Sequence, residues 1–260
     1  MTPVPEPLPR RVTVHLVTGG PAGPRLFGAR VLFGQDPADV ARRLGGLSDE
    51  APLIALDVIT EVASTPGRAP TPLHVDRVIF ATPRAVDAWP AVLPPHGMEP
   101  MLADLVADEP APAVDRPRLR RMASYGIVTD PTGRIMLSLI ADGFPGAGTW
   151  HLPGGGVDPG EDVRSALRRE VWEETGQQGV VGRLITVSSH HRVPITGHEV
   201  YAVWVFSHVH VAHPGPARVL EENGSTADCA WFTPEQLGGV RLSATTRRGL
   251  EHLVGEARPA

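Results

Sequence analysis

The chain is 260 residues long, 42% apolar and 20% charged, with a formal net charge of −5 at neutral pH. That length holds one large domain or two modest ones, and the balance is that of a globular chain rather than a disordered one. A negative chain with no basic stripe excludes global attraction to a nucleic-acid polymer or an anionic membrane.

The N-terminus, "MTPVPEPLPRR", has no apolar signal core, and no run reaches the ~18 apolar residues of a membrane span. A cytoplasmic location is the expectation. In residues 1–112, "RVTVHLV" and "RLFGARVLF" read as strands and "DPADVARRLGGL" as a helix with an Asp cap. "PLIALDVITEV" and "LHVDRVIFA" read as two more strands, and "PRAVDAWPAVL" as a short helix broken by proline. This makes a small accessory α+β domain with no chemical motif. It has the composition to cap a site, form a homodimer or bind a partner protein. Residues 113–121, within the proline- and charge-rich "DEPAPAVDRPRLRR", read as a linker.

Residues 122–260 form a second domain. "SYGIVTD" and "RIMLSLI" are expected strands joined by the turn "DPTG", and "TWHLPGGG" a strand ending in glycines. "VVGRLITVS", "HEVYAVWVFSHVHV" and "DCAWF" are further strands, with "SSHHRV" a loop. "TPEQL" opens with a Thr cap and Pro at the first helical position, and "SATTRRGLEHLVGEA" closes the chain as a helix. Cys229 is the only cysteine, which excludes an intrachain disulfide and a cysteine-based zinc site.

The chemistry concentrates in "LPGGGVDPGEDVRSALRREVWEETG", Leu152 to Gly176. Like charges three and four residues apart destabilise a helix. At ~100° per residue, a helix over 161–175 puts Val163, Ala166, Leu167 and Val171 on one apolar stripe. Glu170 and Glu174 project nearly in line with that stripe, and Glu173 lies at its edge. Arg164, Arg168 and Trp172 face outward. Three carboxylates directed at the protein body are costly unless a cation meets them. A hard divalent ion such as Mg²⁺ takes oxygen ligands and keeps waters for phosphates. The glycines before the helix let the backbone pass close to a ligand and offer free carbonyl and N–H groups.

These residues resemble the Nudix hydrolases, whose box is G-x5-E-x7-R-E-U-x-E-E-x-G-U, with U a bulky aliphatic residue. Gly155, Glu161, Arg169, Glu170, Val171, Glu173, Glu174 and Gly176 all fall in register. The departure is Gln177 at the final aliphatic position, with Val180 nearby to take over its packing. The resemblance implies a Nudix α/β/α sandwich on a mixed sheet. It implies Mg²⁺ or Mn²⁺ held by Glu170, Glu173, Glu174 and the carbonyl of Gly154. It also implies an Arg169–Glu161 ion pair, and Gly155 and Gly156 beside the substrate. The implied substrate is a small-molecule diphosphate, a nucleoside diphosphate joined to a further moiety. A nucleoside triphosphate, as in the MutT-like branch, is favoured over ADP-ribose or a nucleotide sugar. Glu170 is the first candidate for the general base, with Glu221 and Glu222 as loop candidates.

Trp150, just before the glycines, is the expected base-stacking residue; Tyr201, Trp204, Phe206 and Trp231 on late strands read as core. His208 and His210 share one face of a strand and read as solvent-facing. Two readings of other classes are weighed. A silent ligand sensor needs a degraded box or a basic partner domain, and neither is present. An isopentenyl diphosphate isomerase-like enzyme needs a catalytic cysteine, and Cys229 sits like a core residue.

Overall fold

The computed structural model describes residues 9–20, 23–64, 72–89, 99–107, 109–110, 116–194 and 197–256, with 252–256 by backbone alone. The chain divides into two compact units. One comprises Met1–Met122, Asp158–Asp162 and Val187–Val203, and the other Ala123–Val157, Val163–Thr186 and Trp204–Ala260.

The first unit begins with β1 (Arg10–Thr18) and β2 (Arg25–Val31), which pair antiparallel. Helix α1 (Pro37–Leu44) follows, capped as expected by Asp36, whose carboxylate accepts the Ala38 N–H at 2.9 Å. Then come β3 (Ile54–Ser64), β4 (Pro72–Ala81), a 3₁₀ turn over Pro83–Ala88, and the short α2 (Leu102–Leu105). The expected helix at 83–93 is thus only a 3₁₀ turn over its described part. The sheet order is β2-β1-β4-β3, with β1–β4 parallel and β3–β4 antiparallel. Val12, Val14 and Leu16 are fully buried on one face of β1, and Thr13, His15 and Val17 on the other. Burying each large apolar side chain contributes about 1.5–3 kcal/mol, so a strand with two covered faces is a strong anchor. Burial pushes the His15 imidazole down to about 3, with Arg77 adding to the shift, so it is held neutral.

Next in the chain are β5 (Arg118–Thr129), β6 (Ile135–Ile140), β7 (Trp150–His151), β8 (Gly154–Gly156) and α3 (Val163–Thr175). They are followed by β9 (Val180–Arg192), β10 (Glu199–His210), β11 (Thr226–Phe232), a 3₁₀ turn over Pro234–Gly239, and α4 (Ala244–Glu256). The sheet order is β11-β6-β5-β10-β9, with β7 on β6 and β8 on β5. In the second unit Val128, Met136, Val209 and Cys229 meet Leu167 and Val171 of α3. Ile127, Ile135, Leu137 and Phe206 meet Leu250 of α4 instead. Neighbours in sequence thus face opposite helices, the alternation of a strand between two layers. No helix among the described residues is long and apolar enough to cross a membrane.

The structure corrects several boundaries. Arg118–Arg121, expected in the linker, opens β5, because the alternate residues of a charged run can still pair by their backbone. The "SSHHR" segment, expected as a loop, continues β9 to Arg192. Helix α3 begins at Val163 rather than Glu161.

Candidate active site

Strand β8 pairs antiparallel with β5, setting Gly154 against Tyr125, Gly155 against Ser124 and Gly156 against Ala123. Gly154 has φ of +142°, and a Cβ there would collide with the Ser124 carbonyl and lie 2.7 Å from the Tyr125 Cα. Glycine is therefore required by conformation and by backbone contact. At Gly155 a Cβ would instead lie 2.7 and 2.9 Å from the Glu170 carboxylate oxygens. The glycine strand is bare where the glutamate comes to rest. Gly156 has open space at that position.

Helix α3 delivers the three glutamates to different surroundings. Glu174 is 4% exposed. Its Oε2 accepts from Ser138 Oγ at 3.1 Å and the Gly154 N–H at 3.0 Å, and its Oε1 from Thr226 Oγ1 at 2.8 Å. Burial pushes its carboxyl up to about 7; the donors from Thr226, Gly154 and Ser138 oppose that rise, and the Glu170 charge adds to it. The Glu170 carboxyl is also raised, first by burial, against the opposing effect of Arg169 and reinforced by Glu173 and Glu221. Arg169 Nη1 lies 2.8 Å from Glu170 Oε1 and 3.2 Å from Glu173 Oε2, while its Nη2 donates to the Gly156 carbonyl at 3.0 Å.

Among the described residues no three acidic, imidazole or thiol groups gather round one point. The guanidinium of Arg169 instead bridges Glu170 and Glu173, a cation of the protein's own where a metal would be shared. The donors nonetheless fit a hard divalent ion. They are carboxylate oxygens, two of them on groups whose ionised form burial disfavours and a divalent ion would favour. Ser124, opposite Gly155, also keeps its buried hydroxyl without a hydrogen-bond partner among the described residues.

Other expected residues are distributed more widely. Glu161 belongs to the first unit, where its Oε2 accepts the Asp158 N–H at 3.3 Å. Glu221 sits in the loop between β10 and β11, its N–H donating to the Glu173 carbonyl at 3.0 Å, and its charge acts on Glu170. Glu222 is exposed. Trp150 stands edge-on to Phe232 at 4.7 Å in the α4-side cluster, a different cluster from that of α3. Tyr201 is fully buried in the first unit and donates to the Gln35 carbonyl at 2.6 Å. Trp204, Phe206 and Trp231 join the core, and His208 and His210 stack at 5.7 Å. Cys229 is buried and its thiol is pushed up to about 11, first by burial and then by Asp228 and Glu174. A thiol so held is a poor nucleophile at neutral pH.

Sequence reasoning passed over Tyr125, whose ring meets His151 edge-on at 5.0 Å and Trp204 at 6.5 Å. A lone tyrosine on a strand gives no signal of this. Burial pushes the His151 imidazole down to about 4.

The box's one departure is also resolved. Val180 is 72% exposed and takes no packing role. Gln177 is itself buried, donating from Nε2 to the carbonyls of Thr175, Gly215 and Pro216 and accepting the Gly215 N–H at 2.9 Å. Restoring the family's aliphatic residue with Gln177→Leu is therefore expected to destabilise the protein. The side-chain hydrogen bonds to the Thr175, Gly215 and Pro216 backbone would be lost, at a cost of about 1–3 kcal/mol, read by denaturant unfolding.

The NUDIX domain model matches residues 119–253, more than half of the 260. The nucleoside triphosphatase NudI of Escherichia fergusonii is 33% identical over 127 residues, which are 45% of this chain and 86% of that protein. NudI of Salmonella agona is 32% identical with the same coverage. Among solved structures, the MutT protein from Methanosarcina mazei Go1 is 24% identical, with a TM-score of 0.44, covering 56% of this chain and 100% of that one. With one family model over most of its second half and curated members a third identical to it there, the chain belongs to the Nudix family and is a pyrophosphohydrolase.

Proposed function

We propose that the protein hydrolyses the diphosphate linkage of a nucleoside triphosphate, using Mg²⁺ or Mn²⁺ held by Glu170, Glu173, Glu174 and the Gly154 carbonyl. The observation that carries this reading is the pairing of bare glycine backbone with buried carboxylate. Gly154 is tied to Glu174, and Gly155 leaves room for Glu170. A bound divalent cation would neutralise diphosphate oxygens and lower the pKa of a water. Glu170, raised by its surroundings and less engaged by protein donors than Glu174, would accept the water's proton. Arg169 bridges Glu170 and Glu173 where a metal would share them, and its hydrogen bond to Gly156 steadies the glycine strand. Glu221 acts on the same carboxylate from its loop. The substrate class is supported by the name of the NudI relatives, nucleoside triphosphatase.

The test is phosphate and pyrophosphate release across nucleoside triphosphates, ADP-ribose, dinucleotides and sugar nucleotides, with and without Mg²⁺ or Mn²⁺. Metal-dependent turnover of a triphosphate that disappears in Glu174→Gln is expected. Turnover of ADP-ribose alone would move the substrate, and turnover of nothing, with a ligand still raising thermal stability, would support a sensor.

A further inference from the structure

The first unit contains a buried polar chain that the proposed chemistry does not use. Arg10, His74 and Asp76 lie on one face of its sheet, since Arg10 pairs with His74 and Val12 with Asp76 in the β1–β4 register. The His74 and Asp76 side chains are fully buried, and that of Arg10 is 10% exposed. Asp76 Oδ1 receives the Thr60 hydroxyl at 2.9 Å and lies 3.1 Å from His74 Nε2. His74 Nδ1 receives the Gly160 N–H at 3.2 Å and faces Arg10 Nη2 at 3.3 Å. Both groups facing Nδ1 are donors, so Nδ1 accepts and Nε2 carries the proton given to Asp76. Arg10 Nη2 also donates to the Asp158 carbonyl at 3.4 Å, a carbonyl that accepts the Glu161 N–H at 3.0 Å as well.

The residues so held are Asp158–Asp162, which this unit takes from the middle of the Nudix box. They join the end of β8 to the start of α3, so in the chain they lie between the glycine strand and the helix carrying Glu170. Gly160, with φ of +87°, is turned so that its N–H meets the imidazole. We propose that the N-terminal sheet is a clamp in which His74, oriented by Asp76 and flanked by Arg10, positions the loop between the glycine strand and the catalytic helix. This assigns a task to the half of the chain outside the box. His74 is a positioning residue: it touches neither substrate nor metal and acts through Gly160. The kinetic consequence rests on the proposed hydrolase activity; the positioning itself does not.

Two near-isosteric variants separate its two hydrogen bonds. In His74→Asn the amide oxygen replaces Nδ1 and still accepts from Gly160, whereas in His74→Gln the amide nitrogen replaces Nε2 and keeps only Asp76. Hydrogen exchange of the 158–162 amides is followed together with kcat and KM on the best substrate. In His74→Gln, exchange at Gly160 is expected to rise about tenfold or more. Its kcat is expected to fall about tenfold with little change in KM, because misplacement by a fraction of an ångström weakens alignment rather than binding. His74→Asn should recover most of both. If His74→Gln does not fold, Thr60→Val, which loses only the hydroxyl on Asp76, carries the same expectation at smaller amplitude. Unchanged exchange in the folded variant, or faster exchange with kcat intact, overturns the proposal. So does equal damage in His74→Asn and His74→Gln. If the wild type turns over no substrate, the hydrolase reading fails, and the exchange arms still decide the clamp.

Discussion

Replacing Glu170 by Gln is expected to lower kcat by about a thousandfold, within the span that a positioned general base supplies. The change keeps shape and removes only charge and basicity. With the divalent ion saturating, KM is expected to move far less, since the backbone of the glycine strand is unchanged. Stability should not suffer. A carboxyl raised above its unfolded value binds its proton more tightly in the fold, so its ionised form costs stability above that pH. Glu170 is raised by burial and by Glu173 and Glu221 despite Arg169, and the neutral amide escapes that cost. A thermal midpoint equal to or above wild type with kcat nearly abolished is thus the expected pair of results. A kcat within tenfold of wild type would shift the base to Glu221, whose charge already acts on this group.

Gly154→Ala is expected to destabilise the protein by about 3–5 kcal/mol, the range reached when a special backbone conformation and a packing collision coincide. The added methyl meets the Ser124 carbonyl and the Tyr125 Cα, neither of which can rotate away, at a φ that side chains avoid. For a chain of this size that is a fall in thermal midpoint of about 10 °C. Gly155→Ala provides the contrast. Its methyl meets only the end of the Glu170 side chain, which can swing. It should leave the midpoint within a few degrees and reduce activity by displacing that carboxylate. Calorimetry and kinetics on the two neighbours together separate a conformational glycine from one that makes room.

The face of α3 was legible in the sequence because a helix period is local. Val163, Leu167 and Val171 come out buried, Trp172 is 42% exposed, and Glu174 turns inward as the stripe requires. The core strands were legible for the same reason, as was the Asp36 cap. What could not be read depends on partners distant in the chain. Gln177 looks like a lapse from the box until Gly215 and Pro216 arrive to bond it. Trp150 gives no local sign of the Phe232 ring that packs edge-on against it. Asp158–Asp162 read as part of the second domain, and nothing in the local pattern announces Arg10 or His74, about 148 and 86 residues away from their loop partners. Arg118–Arg121 resembles a linker because its charges mask a backbone that pairs as strand.

Metal binding by these glutamates is tested most directly by a Mn²⁺ titration of the full chain followed by electron paramagnetic resonance, with wild type, Glu170→Gln and Glu173→Gln compared. The expected result is saturable binding by the wild type and a loss of affinity in each variant, with triphosphate tightening the wild-type site. Wild-type binding that both variants retain undiminished would place the metal elsewhere and leave Glu170 and Glu173 without a ligand role.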